Sequence, residues 1–344
     1  MRGRGVRVPT VGIIANPASG KDIRRLVAHA TVFDNLEKVN IVRRVLLGLE
    51  AVGVTRLLFM PDYFGIIQRA LEGLTGDYSL KMDVECLKMP LTGEQEDSLV
   101  AARLLAEEKV GCIVTLGGDG TNRVVAKGCR QVPLVPISTG TNNVFPSMVE
   151  GTIAGMAAGL VATGKVAPEV ALTRNKKIDI YVNGSWEDMA LVDVVVLKEQ
   201  FVGSRAIWHE RKIKQVVATC GEATNLGITS MIGALHPLPP ADPRGMAVKV
   251  GTGRTKVLSA LGPGLIKSVS IAEYRFLDPG ERVVVETIPC VMAVDGEREV
   301  EVGSRDRVEL VLNCDGPLVV NIKATMDAAA RRGVFRCTQG HGSS

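Results

Sequence analysis

Residues 110–127 read Val110-Gly111-Cys112-Ile113-Val114-Thr115-Leu116-Gly117-Gly118-Asp119-Gly120-Thr121-Asn122-Arg123-Val124-Val125-Ala126-Lys127. Val110 to Leu116 is an apolar, β-prone run of strand length, ending abruptly in Gly117-Gly118-Asp119-Gly120. Thr121 to Lys127 then suits a helix, so a glycine-rich loop follows the carboxyl end of a strand. Glycines let backbone approach a phosphate closely, and amides at a helix start favour an anion. Asp119 is the unusual member. A carboxylate beside polyphosphate is repelled unless it holds a metal ion or takes a proton from an attacking hydroxyl, as phosphoryl transfer requires. The alternative is a tight turn with Asp119 as a helix cap.

Outward from this loop the same strand-to-helix alternation recurs, the mark of βα units around a parallel sheet. Val11 to Ala15 is the first strand, and Ile23, Leu26, Val27 and Ala30 repeat at helical spacing behind it. A helix around Ile41, Val45 and Leu49, a strand at Arg56 to Met60, a helix through Ile66 to Leu71 and a strand at Val84 to Leu87 follow. Thr92 and Gln95 suit a capping box for a helix that buries Leu99 and Leu104. A further strand, Leu134 to Ile137, leads into Ser138-Thr139-Gly140-Thr141-Asn142-Asn143, and a small-residue helix covers about Thr152 to Thr163.

Beyond that helix the pattern changes to strands without long helices between them: Lys177 to Val182, Ala190 to Leu197, Arg282 to Glu286 and Arg307 to Leu312. Asn183-Gly184 is a hairpin signal. The expected fold is therefore a Rossmann-like α/β domain over residues 1–145 and a mostly antiparallel β-rich domain over 146–320. A C-terminal helix and tail, 321–344, is expected to pack back on the first domain. A length of 344 residues suits two domains.

Composition narrows the functional classes. Aromatic residues, at 4%, are too scarce to stack successive bases, and a net charge of +4, part of it in Arg2, Arg4 and Arg7, is a weak field suited to a small anion. No nucleic-acid partner is expected. Seven cysteines with no Cys-x-x-Cys pair do not form a disulfide framework, which suits a reducing cytoplasm. The start of the chain lacks the apolar stretch of a signal peptide, and Met189 to Leu197, interrupted by Asp193, is too short to span a bilayer.

Other motifs carry two readings each. Asn16, Ser19, Gly20 and Lys21 stand where a strand gives way to a helix, placed to meet phosphate or to form an ordinary capped loop. Ala15 and Asp22 rule out a Walker loop there, and Gly118 to Arg123 lacks the last glycine of the dinucleotide fingerprint. Thr139, Gly140, Thr141, Asn142 and Asn143 offer amide groups to a ribose or phosphate, or satisfy a turn. Asp295-Gly296-Glu297 reads as a hairpin with two acids. His29, His209, His236 and His341 show no zinc-protease spacing, and Lys198 to Arg205 and His209 to Lys214 read as solvated surface.

Together, Asn16-Pro17-x-Ser19-Gly20, Gly117-Gly118-Asp119-Gly120-Thr121 and Gly140-Thr141-Asn142-Asn143 resemble the motif set of the NAD-kinase/diacylglycerol-kinase superfamily. The opening Gly12 to Arg25 is especially similar to the acetoin-catabolism protein X type. This resemblance implies ATP and a small-molecule acceptor meeting in a cleft between the two domains, with Mg²⁺, in a homodimer or homotetramer. It implies that Asp119 is the catalytic or metal-organising carboxylate. Asp295 and Glu297 match the Asp-Gly-Glu of the lipid-kinase branch, where such acids bind metal or activate a hydroxyl, so Mg²⁺ is expected at Asp119 and Asp295. Val192 stands where NAD kinases carry an amide, and no Thr-Gly-Ser-Thr-Ala-Tyr stretch occurs, which argues against NAD as substrate; Asp193 keeps the ability to bond a ribose hydroxyl. The expectation is an ATP-dependent kinase acting on a hydroxyl of a small, nucleoside- or NAD-like acceptor. The alternatives are a non-catalytic nucleotide-binding regulator and a lipid kinase.

Overall fold

The computed structural model describes residues 8–20, 33–140, 142–198 and 212–336. In chain order the first half comprises β1 (Thr10–Ala15), α1 (Asn35–Ala51), β2 (Arg56–Phe59), α2 (Ile66–Glu72), β3 (Asp83–Cys86), α3 (Gln95–Glu107), β4 (Cys112–Gly117), α4 (Asp119–Gly128), β5 (Leu134–Ser138), α5 (Gly151–Ala162), α6 (Pro168–Ala171) and β6 (Leu172–Arg174). β1 to β5 pair in parallel in the order β3-β2-β1-β4-β5. Successive side chains of a strand face opposite sides. Ile13 and Val114 accordingly enter a core with α1, α2 and α5, while Ile14 and Ile113 enter another with α3 and α4. Covered on both faces, β1, β4 and β5 are buried along their whole length, which is why they read as unbroken apolar runs.

The second half comprises β7 (Lys177–Val182), β8 (Ser185–Ala190), β9 (Asp193–Leu197), β10 (Ile213–Ala218), α7 (Thr229–Leu235), β11 (Gly245–Gly262), β12 (Leu265–Leu277), β13 (Arg282–Val284), β14 (Cys290–Val294), β15 (Glu297–Val302) and β16 (Val308–Asn313). Its antiparallel sheets, β12-β11-β10-β9-β14-β15 and β13-β16-β7-β8, pack face to face over a core that includes Ile180, Val196, Met292 and Leu310. α7 covers the other face of the larger sheet through Met231 and Ile232. Asn183 and Gly184 both take positive φ, 51° and 83°, in the two-residue turn between β7 and β8. The chain then returns: β17 (Leu318–Val320) joins the first sheet beside β5, and α8 (Ile322–Arg331) packs over α5 and α6 with Ala329 against Leu160 and Ala171.

Three local expectations are corrected. The run Ala190 to Leu197 is not one strand: it breaks at Leu191-Val192, whose amides bond the Asp295 carboxylate instead of a neighbouring strand. At the start of α3, Asp97 rather than Gln95 closes the box, accepting from the Thr92 backbone amide and hydroxyl, while the Gln95 amide group reaches Glu297. α3 buries Ala101, Ala102 and Leu105, leaving Leu99 and Leu104 half-buried, because the deepest line of contact runs between the two leucines. The helix expected through Ile23, Leu26, Val27 and Ala30 lies outside the described residues, as do Arg2, Arg4, Arg7, His29, His209 and His341. The described cysteines are free, and no helix among the described residues is long and apolar enough to cross a membrane.

α1 and α5 approach so closely that side chains do not fit between them. A Cβ on Gly155 would lie 2.2 Å from the Val45 carbonyl oxygen, and one on Gly48 2.4 Å from the Thr152 carbonyl oxygen. Gly155→Ala gains about 1 kcal/mol in helix propensity. Because the obstacle is backbone, overpacking costs about 1–3 kcal/mol, so the clash outweighs the gain. Urea unfolding of Gly155→Ala is expected to show a lowered midpoint with an unchanged m value; a raised midpoint would contradict this packing.

Candidate active site

Strand order fixes where a ligand can sit. The crossovers reverse direction between β1 and β4, and in such sheets ligands bind outside the carboxyl ends of the strands at the reversal. Ala15 pairs with Leu116 and Gly117 with Ser138, so the loops leaving β1, β4 and β5 emerge side by side. Asn16 to Gly20, Gly117 to Thr121 and Thr139 to Asn143 are therefore neighbours because of topology alone. Lys21 and Thr141, which belong to these motifs, lie outside the described residues.

Side chains stitch the loops together. The Asn16 amide group donates to Thr121 Oγ1 at 3.0 Å, and the Ser19 and Thr139 hydroxyls are 2.9 Å apart. The Asn143 amide group donates to Ser138 Oγ at 2.8 Å, with its Oδ1 2.8 Å from where a Gly118 Cβ would stand. Gly20, at φ +78°, has no room for a Cβ against the Thr139 carbonyl oxygen, 2.6 Å away. The oxygen of Asn142 is buried in the same loop. Two further side chains hold the loops from below. Lys38 on α1, fully buried, donates to the carbonyls of Asn16 and Ser19 at 2.8 and 2.7 Å and to Asn35 Oδ1. Asn122 accepts from the Thr115 hydroxyl at 2.6 Å and donates to the Gly118 carbonyl at 2.8 Å, fixing the turn from β4 into α4.

Asp119 does not cap its own helix. The N-cap of α4 is Gly118, and the Asp119 carboxylate turns away to accept from the amides of Val144 (3.0 Å) and Phe145 (2.8 Å). It stays in the first turn of α4, where the helix dipole favours an anion. Glu297 approaches the same turn from the second half: its Oε1 is 2.9 Å from where a Gly120 Cβ would lie. A Cβ at position 120 would have to displace that carboxylate, so the glycine lets it come this close.

Asp295 is placed differently. Its side chain is inaccessible to solvent, and it accepts from three consecutive amides, Leu191 at 2.9 Å, Val192 at 2.7 Å and Asp193 at 3.1 Å, with Arg123 Nε at 3.8 Å. Arg123, also fully buried, donates through Nη1 to Asp188 Oδ2 at 2.6 Å, and Lys127, one turn on, reaches Asp188 Oδ1 at 2.5 Å. α4 thus enters the second half with two cations that meet two carboxylates. Val192, in the position noted above, is buried with Leu191 and Met189 against Ala126, Val144 and Phe145. Asp193, buried, is the first residue of β9. Cys220 lies within electrostatic reach of Asp119 and Asp193. Burial pushes its thiol up to about 11, so it is protonated at neutral pH and is no nucleophile.

Mg²⁺ was expected at Asp119 and Asp295. Among the described residues no group of three or more His, Cys, Asp or Glu forms a metal cage. Mg²⁺ in phosphoryl-transfer sites is usually held by one or two carboxylates plus substrate phosphates, and Asp119 and Glu297 beside Gly120 fit that demand. Asp295, with three amides on a buried carboxylate, does not. Sequence reading missed Lys38, Asn122, Arg123 and Asp188. The available signal was a cation inside an apolar stripe, Lys38 beside Val39 and Arg123 beside Val124.

The comparisons with known proteins agree with this architecture. Residues 11–166 match the ATP-NAD kinase N-terminal domain and residues 176–315 the acetoin catabolism protein X C-terminal domain, so the chain has a kinase-like fold. It is 38% identical over 338 residues to acetoin catabolism protein X of Cupriavidus necator, covering 95% of this chain and 94% of that one. The chain belongs to the acetoin catabolism protein X family. The crystal structure of yeast NADH kinase complexed with NADH shares the fold, with a TM-score of 0.54 at 11% identity over 97% of this chain and 90% of that chain.

Burial pushes the Asp295 carboxyl up to about 6, against the opposing pull of Arg123 and the three amides. The folded protein therefore holds this proton more tightly than the unfolded chain, whose carboxyl titrates at its ordinary 3.8. The stabilisation is full below that value and is lost as pH rises through about 6. Wild-type stability relative to Asp295→Asn is expected to fall by about 2 kcal/mol between pH 4 and pH 7, read from urea unfolding. A difference independent of pH would contradict it.

Proposed function

We propose that the three strand-end loops bind ATP and that the protein transfers its γ-phosphoryl group to a hydroxyl of a small acceptor. The observation that carries this reading is the meeting of the β1, β4 and β5 loops at the point where the sheet reverses, with the Asp119 and Glu297 carboxylates at the first turn of α4. Gly117, Gly118, Gly120 and Thr121 are assigned to the phosphates. Asn16, Ser19, Gly20 and Lys21 on one side, and Thr139, Gly140, Thr141, Asn142 and Asn143 on the other, complete the donor site.

In the step itself a bond forms between the acceptor oxygen and the γ-phosphorus, and the bond from that phosphorus to the bridging oxygen of ADP breaks. The hydroxyl proton passes to a carboxylate, for which Asp119 is the first candidate and Glu297 the second. Bound Mg²⁺ would supply charge neutralisation of the phosphates. Asp295 is assigned a positioning role, since its oxygens face amides and Arg123 rather than the cleft. Val192 buries an apolar side chain where an amide would hold a dinucleotide, which supports an acceptor smaller than NAD; the relative's name suggests a hydroxyketone such as acetoin. Asp193 is proposed to meet a hydroxyl of the acceptor or of the ribose. A cytoplasmic homodimer or homotetramer is the proposed setting. The same Val192 packing favours, as second reading, a nucleotide-binding regulator without turnover.

Mg·ATP-dependent ADP release, assayed against acetoin, NAD, nucleosides and diacylglycerol, tests both readings. Release that requires one acceptor is expected, falling by about 10²–10⁴-fold in Asp119→Asn with the melting temperature preserved. Full turnover in that variant would contradict the mechanism, and ATP binding without release to any acceptor would favour the regulator.

A further inference from the structure

The contacts around α4 close into a ring. Asp119 at its start holds the amides of Val144 and Phe145, and those side chains pack on Leu191 and Val192. The amides of Leu191, Val192 and Asp193 bond Asp295, Asp295 faces Arg123, and Arg123 returns to α4 one turn beyond Asp119. Asp188 adds a second tie, bonding Arg123 and Lys127 while its Oδ1 accepts from the Met189 amide at 2.6 Å. Both acids on Arg123 therefore act on one segment, Asp188 to Asp193, which carries Val192 and Asp193 on the acceptor side.

We infer that Arg123 is a positioning residue that holds the acceptor-side segment Asp188 to Asp193 in register with the Asp119 loop. The guanidinium suits the task because its planar fork addresses two carboxylates at once, whereas an ammonium is a compact point charge with a shorter reach. The carbonyls of 191–193 are held by Thr219 and by the Asp295 backbone amide, but their three amides bond the Asp295 carboxylate, and that carboxylate faces Arg123. The arrangement differs from general core packing in being local: loss of Arg123 loosens one bend while leaving β4 and β9 paired. The kinetic consequence rests on the phosphoryl-transfer reading, but the mechanical one does not.

Amide hydrogen exchange on the ligand-free full-length protein separates the two. In Arg123→Lys the amides of Leu191, Val192 and Asp193 are expected to exchange at least about tenfold faster than in wild type, with β4 and the centre of β9 unchanged. Asp188→Asn is expected to act in the same direction more weakly, and decides the matter if Arg123→Lys does not fold. Unchanged exchange at 191–193, or an equal rise across the sheets, would overturn the inference whatever the protein's activity. Where turnover is measurable, Arg123→Lys is expected to lower kcat with KM for ATP unchanged, because the donor loops are held by Lys38 and Asn122. A raised KM for ATP with kcat unchanged would contradict a role on the acceptor side.

Discussion

One buried guanidinium joins the two halves of this protein. Arg123 leaves a helix of the parallel sheet and ends among carboxylates of the antiparallel sheets, with no access to water. A charge in such a place is costly unless paired and hydrogen-bonded, and removing one partner leaves the other uncompensated. The pairing therefore admits one seating of α4 on the second half. Since Asp119 begins that helix, the position of the proposed catalytic carboxylate is fixed by a contact made one turn further on. Glu297 and Asp295, two residues apart on one hairpin, divide the work: one approaches Gly120, the other is locked under the 191–193 bend.

The loops depend on a quieter constraint. Strand order places the ends of β1, β4 and β5 together, but loops of glycine, serine and asparagine have many conformations. Lys38 removes that freedom at Asn16 and Ser19 by donating to their carbonyls, and Asn122 does so at Gly118. A phosphate arriving at the first turn of α4 would thus meet amides already oriented, which is where binding energy is best conserved.

Much of this was legible in the residues. The Val110 to Lys127 stretch announces a strand, a glycine turn and a helix, and the change from helical spacing to hairpins after Thr163 announces the second architecture. Asn183-Gly184 named its own turn. The rest was hidden for identifiable reasons. The long β11–β12 hairpin carries exposed residues on much of its length, so its alternation is faint. The break at Leu191-Val192 is imposed by an acid about a hundred residues away, which no local pattern records. Asp295 looks like a surface turn acid in sequence, with Gly296 beside it, and only its three amide donors show otherwise. Lys38 and Arg123, as cations on apolar helix faces, were visible as anomalies, but their partners were not.

The most direct test of the central claim is backbone amide NMR of the full-length protein titrated with Mg·ATP. The largest shift changes are expected at Gly118, Gly120 and Thr121, with further changes at Thr139 to Asn143 and, transmitted through α4, at Leu191 to Asp193. Saturable binding that leaves these amides unmoved and perturbs residues elsewhere would contradict it.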